Sequence, residues 1–334
     1  MRLVQVVVLG AGAIGSLIGA RLHEAGVSVR LIGKKAHVEA IQANGLMVRG
    51  RNESHLVRLP ATTTLAGAAD LILLTVKSQD VRAACQEIAQ LHSNATVVTM
   101  QNGVRSDGEA AAILGRDRIV GCVLNVSATY LEPGVVEQNT GILLQIGAPF
   151  PESAGRVQSV LDVLGKALRT VLVPDIARAR WTKLMSNVNN AIMTITGLPI
   201  GTALRHKGLA RLAIATIREG VKTAQAGGFP LDRSRRATEF RLMARLPRPI
   251  ANVVFGPRLA DDFPPDSQFG PSTLQSLRRG SSSELDYLNG EIVKLGEKMG
   301  RPTPYNSGLL EVGRQVFERR KNLTPEELLE KFRF

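Results

Sequence analysis

The residues with the clearest chemical meaning stand near the amino terminus. Gly10-Ala11-Gly12-Ala13-Ile14-Gly15 is a G-x-G-x-x-G run. It follows a short apolar, β-branched stretch (residues 3–9) and opens a segment that reads as a helix from about Ile14 to Ala25. In that setting each glycine has a physical task. Gly10 permits a tight turn, Gly12 lets a pyrophosphate approach the backbone, and Gly15 lets the helix pack close to the sheet. The helix N-terminus adds unsatisfied N–H groups and a partial positive charge. The run is read as a dinucleotide site; a glycine-rich turn without a ligand is the competing reading.

A second strand, Val27–Ile32, is followed by Gly33-Lys34-Lys35. A carboxylate there would bond a ribose 2′-hydroxyl. Two lysines instead suit a 2′-phosphate, which favours NADP(H) over NAD(H), against the alternative of a solvated lysine pair. Lys77 lies just past a strand at 71–76, and Asn102-Gly103 just past one at 96–100. Both fall at carboxyl ends of parallel strands, where open α/β sheets bind ligands, so both are candidate cofactor contacts.

In the second half Lys183, Asn187 and Asn190 stand at i, i+4 and i+7, one face of a helix expected over 177–196. Their neighbours Leu184, Met185, Val188, Ala191 and Ile192 are apolar. A lysine among apolar side chains loses solvation, and its pKa falls toward a range useful for a general acid. A lysine that reaches solvent, with two asparagines capping backbone, fits the same spacing. Ser272, after Pro271, reads as a helix cap, and Glu284 as a helix-supporting partner of Arg278 or Lys294.

These residues need a scaffold, and the pattern supplies one. Strands alternating with helices of about a dozen residues indicate an α/β fold with a doubly wound parallel sheet. After Pro174 the texture turns helical, over 177–196, 206–227, 232–246, 272–278, 283–300 and 306–320. The expected domains are residues 1–176, binding NADP(H), and 177–334, all-helical. Further expected elements are β-rich runs over 119–147, a helix over 153–168 and a strand at 170–173. The stretch 228–271 is least regular, with seven Arg between 233 and 258. It reads as a solvated helix and loop, or as a lid or anion-binding patch.

Composition bounds the rest. A chain of 334 residues, 44% hydrophobic and 21% charged, has the make-up of an ordinary globular protein. Residues 3–20 carry no charge, yet their glycines and alternating valines fit strand, turn and helix better than a membrane span or signal peptide. Two cysteines and no zinc-type spacing argue against disulfides and a metal site, and point to the cytoplasm. The net charge of +13 attracts polyanions, but 4% aromatics is poor material for base stacking. Nucleic-acid binding, with NADPH as a sensed ligand, is carried only as a rival reading. Oligomeric state is open; the apolar helical domain suits a homodimer.

Taken together, the ordered motifs resemble the ketopantoate reductases (2-dehydropantoate 2-reductases) over roughly residues 3–315. They are Gly10-x-Gly12-x-x-Gly15, Val76-Lys77, Gln101-Asn102-Gly103, Lys183-Leu-x-x-Asn187, Ser272-x-Leu274-Gln275 and Glu284-Leu-Asp286-Tyr287-Leu288-Asn289-Gly290. The resemblance implies a Rossmann-type domain followed by an all-helical one, with the active site in the cleft between them. It implies NADPH-dependent reduction of ketopantoate to (R)-pantoate for pantothenate and coenzyme A synthesis. It makes Lys183 the proton donor, Glu284 an orienting residue on the cofactor side, Ser272 the holder of the substrate carboxylate and Asn187 a substrate contact. Asn102 would meet both cofactor and substrate, Lys77 the cofactor, and Lys34 the 2′-phosphate. Three positions depart from the pattern: Ala191 replaces a second helical Asn whose place Asn190 can take, Ile200 replaces a substrate-binding Asn, and Ser276 replaces an Asp. These departures leave open a paralogous reductase of another 2-keto acid or carbonyl compound.

Overall fold

The computed structural model describes residues 4–50, 53–91, 94–261 and 270–332. Its contacts divide the chain into two compact units, Met1–Ala179 and Arg180–Phe334.

The first unit holds twelve strands among the described residues: β1 (Gln5–Leu9), β2 (Ser28–Ile32), β3 (Leu46–Arg49), β4 (Ser54–Val57), β5 (Ala61–Thr62), β6 (Leu71–Leu74), β7 (Thr96–Thr99), β8 (Ile119–Asn125), β9 (Ala128–Glu132), β10 (Val135–Gln138), β11 (Leu143–Gly147) and β12 (Arg169–Leu172). Eight form one sheet in the order β12-β11-β8-β7-β6-β1-β2-β5. Pairing is parallel from β5 through β8; β11 then runs antiparallel to β8. The chain winds from β1 to β2 on one side and onward from β6 on the other, so the strand order reverses at β1. The connecting helices are α1 (Ala13–Glu24), α2 (Lys35–Asn44), α3 (Val81–Ala89), α4 (Ser106–Leu114) and α5 (Val157–Leu164).

The apolar run of β1 is continuous because both its faces are covered. Val6 and Val8 join a core with Leu17 and Ile18 of α1, while Val7 and Leu9 join one with Cys85 and Ile88 of α3. A second sheet, β4-β3-β10-β9, packs onto the α1 side, where Leu46, Val48 and Val136 enter the first of these cores. Both cysteines are buried without a disulfide.

The second unit is helical, in agreement with the fold expected from the sequence. Helix α6 (Ile176–Asn187) begins in the first unit and continues into it. It is followed by α7 (Asn190–Thr196), α8 (Ile200–Arg205), α9 (Lys207–Ala226), α10 (Arg235–Arg245), α11 (Arg248–Phe255), α12 (Arg258–Asp261), α13 (Ser272–Arg278), α14 (Asn289–Lys298), α15 (Pro304–Arg319) and α16 (Pro325–Leu329). The long α9 is central, burying Leu212, Ala213, Ile217 and Val221. Close packing is visible at Gly220, where a Cβ would stand 2.9 Å from the Met185 sulfur.

Three expectations need correction. The helix over 177–196 is two helices, interrupted at Val188-Asn189. The segment 153–168 enters as a 3₁₀ turn, Pro151–Arg156, before α5 begins at Val157. Most of 228–261 is helical rather than loop, while Pro264-Pro265 lie outside the described residues. No helix among the described residues is long and apolar enough to cross a membrane.

Candidate functional site

In the first unit the candidate residues gather at one edge of the main sheet, past the carboxyl ends of β1, β2, β6 and β7. Gly10 adopts φ +113°, and a Cβ there would stand 2.5 Å from the Val76 nitrogen. A Cβ on Gly15 would stand 2.4 Å from the Gly10 carbonyl oxygen and 2.6 Å from Thr75 Oγ1. Both positions exclude side chains because the protein itself fills the space. Gly12 differs: a Cβ there would find only the Gly10 oxygen, at 4.0 Å. As the N-cap of α1, Gly12 offers no side-chain cap, and the first turn holds no acidic residue. The turn Gly10–Gly15 is thus closed inward and open outward at a helix N-terminus, the arrangement that accepts a diphosphate. Ala11 is buried, while Ala13 and Ile14 are part-buried against the α1-side core.

Three side chains bind these loops together, and none was singled out as functional from the sequence. Thr75 Oγ1 donates to the Gly10 carbonyl at 2.9 Å. The Gln101 amide donates to the carbonyls of Leu74, at 2.7 Å, and Val76, at 3.1 Å. Ser78 Oγ donates to the Asn102 carbonyl at 3.2 Å. The glycine turn, the Lys77 loop and the Asn102 loop therefore form one hydrogen-bonded platform. Lys77 is half-buried and caps the 3₁₀ turn Ser78–Asp80, and Gly103 after Asn102 takes φ +90°. Lys34 is exposed at the N-cap of α2, while Lys35 pairs with Glu39 at 3.8 Å.

In the second unit the break after α6 organises the candidates. Lys183 is half-buried between buried Thr182 and Leu184. Burial, followed by the nearby positive charge of Arg236, lowers its pKa below the ordinary lysine value. Asn187 and Asn190 are both buried, one on each side of the break. The Val188 carbonyl, left at the helix end, accepts the Asn289 amide at 3.0 Å. Asn289 also donates to Asn306 Oδ1 at 3.0 Å, and Asn306 in turn donates to Glu219 at 2.8 Å. This network fixes the segment that carries Glu284 against the helix that carries Lys183. Glu284 itself is buried, at the N-cap of a 3₁₀ turn, Leu285–Tyr287.

Ser272 is not the helix cap expected: Pro271 occupies that position and Ser272 is the first residue of α13. Thr273 anchors α13 to α7 through a 2.8 Å bond between its hydroxyl and that of Thr194. Lys183, Asn187, Asn190, Ser272 and Glu284 thus lie on segments held to one another by buried hydrogen bonds. Of the departures, Ala191 and Ser276 are buried and Ile200 is half-buried at the start of α8. Among the described residues no cluster of three or more His, Cys, Asp or Glu could hold a metal ion.

A doubly wound sheet with an open glycine turn, joined to a helical unit with a pKa-shifted lysine, defines a nucleotide-binding class of two-unit protein. The comparisons with known proteins place it further. The family model "Ketopantoate reductase PanE/ApbA" matches residues 6–149, and its C-terminal model matches 175–316. The 2-dehydropantoate 2-reductase of Pyrococcus horikoshii is 30% identical, covering 90% of this chain and 94% of that protein. That of Mesorhizobium japonicum is 29% identical, covering 93% and 97%. Among solved structures, a PanE/ApbA family ketopantoate reductase from Ralstonia eutropha has a TM-score of 0.81 at 29% identity, covering 95% of this chain and 99% of that one. D-mandelate dehydrogenase, solved with NADH and anilino(oxo)acetate, shares the fold at 22% identity and a TM-score of 0.82, covering 94% and 99%. The chain belongs to the ketopantoate reductase family and is an oxidoreductase of that family.

Proposed function

We propose that the protein reduces 2-dehydropantoate (ketopantoate) to (R)-pantoate with NADPH, in the cytoplasm, as a step toward pantothenate and coenzyme A. The observation that carries the reading is Lys183, a half-buried lysine lowered in pKa on α6, whose carboxyl end is bonded to the segment that follows Glu284. Residues 1–176 serve the cofactor in this reading and residues 177–334 the substrate. The open space at Gly12 fits a dinucleotide pyrophosphate. When bound, the nicotinamide supplies a hydride to the keto carbon.

The chain's own residues do the rest. The backbone of Gly10, Ala11, Gly12, Ala13, Ile14 and Gly15 and the N-terminus of α1 hold the diphosphate. Lys34 pairs with the 2′-phosphate, and Lys77, Asn102 and Glu284 contact the cofactor. Lys183 donates a proton to the keto oxygen as negative charge develops there, and its cationic head stabilises that charge in the transition state. Its lowered pKa brings the ammonium closer to neutral operating pH, where proton transfer is efficient. Asn102, Asn187 and Asn190 contact substrate polar groups, Ser272 holds the carboxylate, and Glu284 orients the site.

Steady-state NADPH oxidation with ketopantoate, beside a panel of other 2-keto acids and with NADH as control, tests the proposal. Saturation with ketopantoate and NADPH is expected. Turnover of a different 2-keto acid alone would assign the chain to a paralogous reductase. That second reading has a specific basis in Ile200, since a site without a hydrogen-bond partner for a substrate hydroxyl discriminates less sharply.

A further inference from the structure

Two helix N-termini meet beside the glycine turn. The Gly10 and Ala11 N–H groups both donate to the Ile32 carbonyl at the end of β2, at 3.0 and 2.8 Å. Gly33 then lies against Ala11: a Cβ there would stand 2.9 Å from the alanine Cβ. Lys34, the N-cap of α2, follows. The path from the glycine turn to Lys34 is therefore short, and backbone bonds hold it as far as Ile32. Past that point a buried imidazole ties the two helices. His37 is 2% exposed in the first turn of α2, and its N–H donates to the Lys34 carbonyl at 3.0 Å. Its ring Nε2 lies 2.9 Å from Ser16 Oγ. Ser16 is fully buried near the start of α1, and its N–H donates to the Gly12 carbonyl at 2.9 Å. On the other side Nδ1 accepts at 2.9 Å from the N–H of Gly134, in the turn between β9 and β10. These bonds fix the tautomer. A backbone N–H can only donate, so Nδ1 is bare and Nε2 carries the proton. Burial lowers the ring pKa to about 4, so near neutral pH the ring is uncharged and Nε2 donates to Ser16 Oγ. One side chain thus locks the opening of α1 to the opening of α2.

Resting on the reading of Lys34 as the partner of the 2′-phosphate, we propose that His37 is a positioning residue for cofactor choice. Its bond to Ser16 sets the separation between the glycine turn and Lys34, and with it the preference for NADPH over NADH. The chemistry of the cofactor gives this separation its meaning. One ribose ring carries both the 5′-diphosphate and the 2′-phosphate, so the two anionic groups stand at a nearly constant distance. A protein that engages both must hold its two sets of donors at a matching distance. A lysine brings a flexible four-carbon stem and a point charge, so its precision comes from where its backbone is anchored. The Lys34 carbonyl is held by the His37 N–H, and the His37 ring is held by α1. Neutral and buried, the ring offers a phosphate no charge and acts through what it holds. NADH has no 2′-phosphate and depends on the glycine turn alone. Loosening the lock therefore weakens NADPH and leaves NADH.

The test is the ratio of Kd values for NADH and NADPH, read by fluorescence titration without any keto acid. Ser16→Ala removes the acceptor of the Nε2 proton. His37→Asn keeps an acceptor for the Gly134 N–H and loses the reach to Ser16, whereas His37→Gln keeps an N–H near the place of Nε2. The preference for NADPH should fall by about 3- to 10-fold in Ser16→Ala and His37→Asn, less than outright loss of a charge-assisted hydrogen bond. His37→Gln should retain most of it. Lys34→Gln should lower the preference by itself, and adding Ser16→Ala to it should lower the preference no further, since the lock acts through Lys34. Equal weakening of both cofactors, an unchanged preference in Ser16→Ala, or a full additional loss in the double variant would overturn the proposal while leaving Lys34 on the 2′-phosphate. An unchanged preference in Lys34→Gln alone would refute the reading of Lys34, and the proposal with it.

Discussion

The three glycines of the amino-terminal turn separate two physical demands, folding and ligand approach, and single methyl groups can tell them apart. At Gly10 an alanine would take φ +113°, with its Cβ 2.5 Å from the Val76 nitrogen. The left-handed backbone alone costs about 1–3 kcal/mol for an L-residue, and the clash with backbone adds to it. At Gly12 an alanine meets no protein atom closer than 4.0 Å, and its φ of −87° is ordinary. The N-cap penalty there is about 0.5–1 kcal/mol. Gly10→Ala should therefore lower the melting temperature by several degrees more than Gly12→Ala. For NADPH the order reverses. A methyl in the space of the pyrophosphate forces a shift of about 1–3 kcal/mol, or roughly 10- to 100-fold in Kd. Thermal melts and NADPH fluorescence titration of the two variants read both quantities. A Gly12→Ala protein that binds NADPH as tightly as wild type would refute the assignment of this space to the cofactor. One that melts as early as Gly10→Ala would refute the packing argument.

Three further outcomes follow from the same structure. His37 is buried, with Nδ1 accepting from the Gly134 N–H and Nε2 against Ser16 Oγ, and burial lowers its pKa to about 4. Because the unfolded state takes up the proton from pH 6.5 downward and the folded state only near 4, stability is full above 6.5 and lost on acidification through that window. The loss amounts to about 3 kcal/mol at most, and urea unfolding between pH 4 and 7 should show a shallower slope in His37→Gln. Lys34→Glu should weaken NADPH more than NADH, read as the ratio of their KM values, and an unchanged ratio would remove Lys34 from the 2′-phosphate. Since Lys183 must be protonated to act and its pKa is lowered by burial and by Arg236, kcat/KM should fall as pH rises through a value below the ordinary lysine pKa. A pH–rate profile flat to that value would contradict its role.

Much of this was legible in the sequence where local pattern and tertiary role coincide. The runs that became β1, β6 and β7 are mainly apolar or β-branched because both faces are covered, and the glycine turn is punctuation that only one arrangement uses well. The second sheet was not legible as a sheet. Its strands are four or five residues of mixed exposure, and β10 pairs in parallel with β3, nearly ninety positions earlier. The interruption after Asn187 carries no glycine or proline; it is tolerated because Asn289, a hundred residues on, accommodates the Val188 carbonyl. Ser272 reads as a cap because a serine after a proline commonly opens a helix, but the helix already includes Ser272 and the extended Pro271 precedes it with no side-chain cap. Gln101, Thr75 and Ser78 were not singled out because their tasks are hydrogen bonds between loops far apart in the chain.

The account rests most heavily on Lys183, and one measurement reaches it directly: single-turnover reduction of ketopantoate by NADPH-loaded Lys183→Met, with NADPH affinity measured on the same preparation. Methionine keeps much of the stem volume and removes the proton and the charge. The account predicts a hydride-transfer rate lowered by about 10²- to 10⁴-fold with NADPH affinity retained. A rate comparable to wild type would contradict it.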